Sequence, residues 1–352
     1  MDWKEQGFIL VSELIVGYLF GRFSIPIFRK IKTGKLDFYI GDRFAQDGSE
    51  PKFGGVTIFM TVVLGITVGV VCSNFYAARG MAAKIDLRVV LDGVMLLAVL
   101  LGIGLYQDYL KETKRGIGMK SLYMIIGEFA SCFLFLVLLK MFGTGQTGIL
   151  LPFRMGYLDL KLMYYPIGAL IMTLVINAVK VHDCFGGDTK GGVDGLCAFT
   201  TFIAALGFLS GSSAMVNRSS LSGGLDALFA VCTAGACAAF LLWGIHPAKL
   251  YLGESGSLLL GGLICIITEF SKTQFVLVII GTAYFIDGIC ALLHRIIFSL
   301  KKKLLLKDCT LHGHLKKIGW GDYKIILVSG IISVLGAAVS MAFFRYADKF
   351  IF

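Results

Sequence analysis

Residues 54–77 read Gly54-Gly-Val-Thr-Ile-Phe-Met-Thr-Val-Val-Leu-Gly-Ile-Thr-Val-Gly-Val-Val-Cys-Ser-Asn-Phe-Tyr-Ala77, without a single Asp, Glu, Lys or Arg. As a helix rising about 1.5 Å per residue, this run is long enough to cross the apolar core of a bilayer. Working outward, apolar stretches of similar length recur near 6–25, 88–106, 121–141, 160–179, 195–214, 224–243, 256–270, 274–298 and 325–344. The spacing predicts ten membrane-spanning helices, with the eighth short and the ninth interrupted by Asp287. Composition agrees: of 352 residues, 57% are hydrophobic and 16% charged, with a mean hydropathy of +0.81. Soluble domains carry about 25% charged residues. A disordered chain, a disulfide scaffold and an isolated soluble enzyme domain are excluded. An all-α integral membrane protein of one polytopic domain, 1–352, is expected.

The net charge of +10 sits in short loops beside the apolar blocks, where it predicts lipid headgroups or phosphorylated substrates as partners and no nucleic acid. Twenty-two of the 33 Lys and Arg fall on one side of the ten spans. Positive loops stay in the cytoplasm, so both termini are expected outside. The polar, Gly-rich segments 49–55, 107–120, 177–195, 246–257 and 308–320 all fall on the same Lys/Arg-rich side. Glu13 and the missing small-residue cleavage site make the first apolar block a retained span. Nine Cys occur, most of them within apolar blocks and without paired spacing, as small buried hydrophobes would.

Four of these segments carry the chemistry. Asp108 stands three residues before Lys111 at the end of a span, where an acid can hold a metal-bound phosphate and the ammonium can offset its charge. From Asn177 to Leu196 the chain offers Asp183, Asp188 and Asp194, with Lys180, Lys190 and five glycines, an arrangement of oxygen ligands and close backbone suited to Mg²⁺ and phosphate. From His246 to Ser257, Lys249 and Tyr251 precede Glu254, the only acid there, flanked by Gly253 and Ser255. The fourth segment holds Cys309, His312 and His314, followed by Gly319 and Trp320. A zinc site on the first three would lack a fourth ligand; a phosphate clamp of His and Lys and an interfacial basic helix are the other readings. Glu13, Asp92, Glu128 and Asp287 lie inside apolar blocks, as in transporters, although no inverted repeat accompanies them.

In order, Pro51-Lys-Phe-Gly54-Gly55, Gln107-Asp108-Tyr-Leu-Lys111, Asn177 through Val193-Asp194-Gly195-Leu196, Pro247 through Tyr251-Leu-Gly253-Glu254-Ser-Gly256-Ser257, and His312-Gly-His314 through Trp320 resemble the polyprenyl-phosphate N-acetylhexosamine-1-phosphate transferases. The phospho-N-acetylmuramoyl-pentapeptide transferase branch is the most similar, and the likeness runs over nearly the whole chain. It implies a multi-pass protein of the bacterial inner membrane. The implied reaction is Mg²⁺-dependent transfer of phospho-N-acetylmuramoyl-pentapeptide, or a related phospho-N-acetylhexosamine, from a UDP carrier to undecaprenyl phosphate. Lipid I and UMP would be the products, and a homodimer is among the assemblies the likeness allows. By position, Asp108, Lys111, Asp194, His312 and His314 resemble catalytic residues, with Asp183 or, across the additional residues, Asp188 as a further acid of the set. Asn177, Lys180, Lys249 and Tyr251 resemble substrate-binding ones, with Tyr251 stacking on uracil, and Glu254 stands where the metal-binding Asp is found. The chain departs from the pattern in several places. Gln107 replaces an acid, Lys180 an Asn, Glu254 an Asp, Gly313 a His, and Ser49 and Met124 each a Lys; eight additional residues lie between Asp183 and Gly192. These departures admit a paralogue that binds a nucleotide sugar or polyprenyl phosphate without turnover.

Overall fold

The computed structural model describes residues 3–32, 51–78, 85–113, 118–145, 147–151, 156–183, 192–214, 224–301 and 307–347. Ser49, Asp188, Lys190 and the rest of 184–191 lie outside the described residues. The long helices are α1 (Trp3–Lys32), α2 (Gly54–Ala77), α3 (Leu87–Thr113), α4 (Ser121–Met141), α5 (Tyr164–Asp183), α6 (Leu196–Ala214), α7 (Leu225–Gly244), α8 (Gly253–Ser271), α10 (Thr282–Lys301) and α12 (Asp322–Ala347). Two short α-helices, α9 (Gln274–Ile280) and α11 (Leu311–Lys317), and a single 3-10 turn at Lys161–Met163 complete the helices among the described residues. Among the described residues ten helices are long and apolar enough to span a membrane, one for each stretch expected. The only sheet described is a hairpin of β1 (Gly148–Leu150) and β2 (Tyr157–Asp159), pairing Ile149 with Leu158.

α8 is the hub. Its residues other than Glu254 are buried, and α3 and α5 are its main neighbours, with α7 and α2 closing the ring. Phe229 of α7 and Phe135 of α4 meet Phe270 of α8 edge-on, with ring centroids 5.4 and 6.4 Å apart. The outer helices turn Leu, Ile, Val and Phe side chains outward, among them Phe23, Val71, Leu134, Leu292 and Leu335. A bilayer solvates that belt, whereas water would penalise it.

The ninth stretch differs from the expectation. The helix breaks at Gly281, not at Asp287. Asp287 continues inside α10 because side chains from other elements meet its charge, so the helix has no cause to open there. α9 instead ends against α12, where a Cβ on Gly336 would lie 2.3 Å from the Ile279 carbonyl oxygen.

Candidate active site

The first turn of α8 is held from two sides. Asp108, near the end of α3, accepts from the backbone N–H groups of Glu254 and Ser255, both at 3.0 Å, and so caps α8 with both carboxylate oxygens. Gly253 enters the helix at φ +75, and a Cβ on it would sit 2.8 Å from Asp108 Oδ2, so a side chain there would be strained and crowded. Gly55 of α2 and Gly104 of α3 press on the same turn, their would-be Cβ atoms 2.6 Å from Gly256 N and 2.3 Å from Ser255 Cα. Pro51, Gly54 and Gly55 pair by backbone with Tyr251 and Leu252, which joins the first motif to the fourth.

Glu254, fixed in this way, meets two ammonium groups. Lys111 donates to Oε1 at 2.5 Å, and Lys180 Nζ of α5 lies 3.0 Å from Oε2. One turn before Lys180, Asn177 donates to Glu128 of α4 and to the Thr173 carbonyl, facing α4. Gln107 accepts from the Met119 N–H at 2.6 Å and pins the chain ahead of α4. Next to the start of α8, a cleft open to solvent is lined by Asp183, Asp194, Gly195, Phe240, Tyr251 and Gly253. Asp183 lies within electrostatic reach of Glu254, Asp108 and Asp194. Asp194 meets His246 Nδ1 at 3.1 Å, and Lys316 pairs with Asp322 on the far side of that histidine.

These residues come from stretches far apart in the sequence, yet they gather where α3 and α5 end and α8 begins. Residues 90–271 match the family described as glycosyl transferase family 4. The chain belongs to that family. It is similar to the phospho-N-acetylmuramoyl-pentapeptide-transferase of Desulfitobacterium hafniense, at 28% identity over 95% of this chain and 96% of the relative. The protein of that name from Bacillus subtilis is 29% identical over 95% of this chain and 96% of its own. The one from Clostridioides difficile is 27% identical over 94% and 95%. As a member of glycosyl transferase family 4, this membrane protein is a transferase.

Within this family member the remaining expected residues are dispersed. His312 of α11 turns to Asp287, whose Oδ2 also accepts from His182: the two Nδ1 atoms are 2.8 and 2.6 Å away. All three residues are buried and form one of two His/acid groups, among the described residues, whose geometry could hold a metal ion. The other is Asp194, His246 and Asp322, and neither group includes Cys309 with His314. His314 accepts from the Lys307 N–H at 3.1 Å. Thr310 caps α11 through the Gly313 N–H. Desolvation works against the charged form of Asp308 at the entrance to that helix, but Lys317 and the Cys309 N–H outweigh it and hold the carboxyl below the usual aspartate range. Lys249 is exposed and places its Nζ 5.7 Å from the Trp243 ring, off the cleft lining.

Two departures from the family pattern meet in space, since Lys180 Nζ lies 3.6 Å from Met124 Sδ. A divalent cation takes oxygen ligands, and both oxygens of Glu254 already face ammonium groups, so Glu254 as arranged does not fit one. Sequence reasoning gave no site role to His182, Asp287 or His246. An acid inside an apolar block was the available signal for Asp287.

Proposed function

We propose that the protein transfers a phospho-N-acetylhexosamine, of the phospho-N-acetylmuramoyl-pentapeptide kind, from a UDP carrier to undecaprenyl phosphate, forming lipid I or a close analogue and releasing UMP. The observation that carries this reading is the meeting of Lys111 and Lys180 at Glu254, the residue after Gly253, which lines a cleft together with Asp183, Asp194 and Tyr251. In the transfer, an oxygen of the lipid phosphate bonds to the sugar-bearing phosphorus. The bond from that phosphorus to the UMP oxygen breaks, and UMP leaves with the electron pair. Such a step needs in-line positioning and charge neutralisation more than covalent help from the protein. Lys111 and Lys180 bring positive charge to the pyrophosphate, Tyr251 offers its ring to the uracil, and Asp108 acts through the first turn of α8. Mg²⁺, which the family resemblance implies, would supply further neutralisation; no step is assigned to it, because an ammonium would have to leave Glu254 first. The protein works as a single transferase domain of the bacterial inner membrane, with the cleft facing the cytosol.

The test is release of UMP by the detergent-purified protein from UDP-N-acetylhexosamines supplied with undecaprenyl phosphate. Release is expected, and its absence with every donor would sink the transferase reading. A binding protein without turnover is the second reading. It is favoured by Asp108, whose two oxygens are both spent on backbone N–H groups, and by Gln107, an amide where a carboxylate could take a proton. It predicts UDP-sugar binding without UMP.

A further inference from the structure

Glu254 is 13% exposed, and its helix turn is immobilised by Asp108 from one side and by the close approach of Gly55 and Gly104 from the other. Its two oxygens are shared between two lysines of different character. Lys180 is only 17% exposed, rises from the interior of the bundle one turn after Asn177, and lies with its Nζ against Met124. Lys111, at 38% exposure, stands at the outer rim. The trio carries one net positive charge, which is the sign that a phosphate needs. A divalent cation bound to the same carboxylate would sit between two like charges in a partly desolvated pocket, where Coulomb repulsion is weakly screened.

Of the acids near Glu254, Asp108 and Asp194 are already engaged by the chain, while Asp183 lies within electrostatic reach of it. Both Asp108 oxygens are taken by backbone N–H groups, and Asp194 shares Oδ2 with His246 and the Ala248 N–H. Electrostatic compensation at this helix start is therefore made by the chain's own side chains. We propose that the Lys180 ammonium, together with Lys111, takes the place of a divalent cation at Glu254, so that this centre receives the pyrophosphate of its nucleotide by direct ammonium–phosphate contact with no metal bound to Glu254. Only the nature of the anion rests on the functional reading above. The exclusion of the metal rests on the ion pairs alone. An ammonium is a compact point charge with rotatable donors and suits a phosphate oxygen without the fixed geometry that Mg²⁺ imposes.

The experiment has two arms, both on the full-length protein in detergent. In the first, Mn²⁺ alone is titrated and bound ion is read by electron paramagnetic resonance. Uptake by the wild type should be unchanged by Glu254→Gln. Lys180→Asn should gain a site that the wild type lacks, about tenfold tighter than any uptake by the wild type, through the repulsion removed, and the double variant should lose it again. Lys180→Gln, closer in length, serves as the second probe should the Asn variant fold poorly. Wild-type uptake that falls with Glu254→Gln overturns the proposal, and so does a failure of both Lys180 variants to gain a site. In the second arm, UDP binding is measured in EDTA and in Mg²⁺. Affinities should agree within about threefold for the wild type, whereas those of the Lys180 variants should become Mg²⁺-dependent. Wild-type binding abolished by EDTA and restored by Mg²⁺ overturns the proposal. If UDP binds in neither medium, the nucleotide-sugar reading fails while the Mn²⁺ arm still decides the fate of the metal at Glu254.

Discussion

Asp287 answers two imidazoles with a single oxygen and gives its second to the Leu311 N–H at 2.9 Å. One buried acid thus ties α5, α10 and α11 together, and it sets the direction of the His312 ring. Replacing it by Asn leaves buried polar groups short of an acceptor and should cost about 3 kcal/mol. Thermal unfolding of Asp287→Asn in detergent, against a lipid-facing control such as Leu292→Ala, checks this; equal melting temperatures would remove Asp287 from the framework. That Asp287 is costly was legible in the sequence, because an acid inside an apolar block needs a reason. Its partners were not legible, since they lie 105 and 25 residues away and no local pattern connects them. Lys180 and Met124 teach the same lesson. They lie 56 residues apart, and only the fold brings the ammonium of one to the sulfur of the other.

At the scale of elements, the start of α8 depends on backbone reaching backbone. Gly104→Ala should push Ser255 away from α3, loosen the two hydrogen bonds to Asp108 and lower stability by about 2 kcal/mol, as overpacking does. A melting curve reads the loss, and an unchanged curve would mean that α3 and α8 can part without cost. The helices themselves were readable because a membrane span must be apolar along its whole length. The run 54–77 coincides with α2 for that reason. The break at Gly281 and the β1–β2 hairpin were not readable. The first depends on how closely α12 comes at Gly336, and three-residue strands are too short to carry a periodicity.

For the whole molecule, the asymmetry of basic residues predicts that the loops carrying the cleft face the cytosol, the side on which the proposed reaction would meet a soluble nucleotide sugar. A version keeping only Cys184 of the nine cysteines should resist a membrane-impermeant maleimide on intact cells and react once the cells are opened. Reaction from outside would invert the bundle and remove the cleft from its donor.

α8 has the lowest mean hydropathy of the ten spans, 1.3, and almost none of it would touch lipid. The helices that pack most on it, α2, α3, α5 and α7, all precede it in the chain. A ribosome works from the N-terminus, so the walls of the slot for α8 are synthesised before α8 itself. The least hydrophobic of the ten spans thus follows the helices that enclose it, and its packing joins the motif from Tyr251 to Ser257 to the ends of α3 and α5.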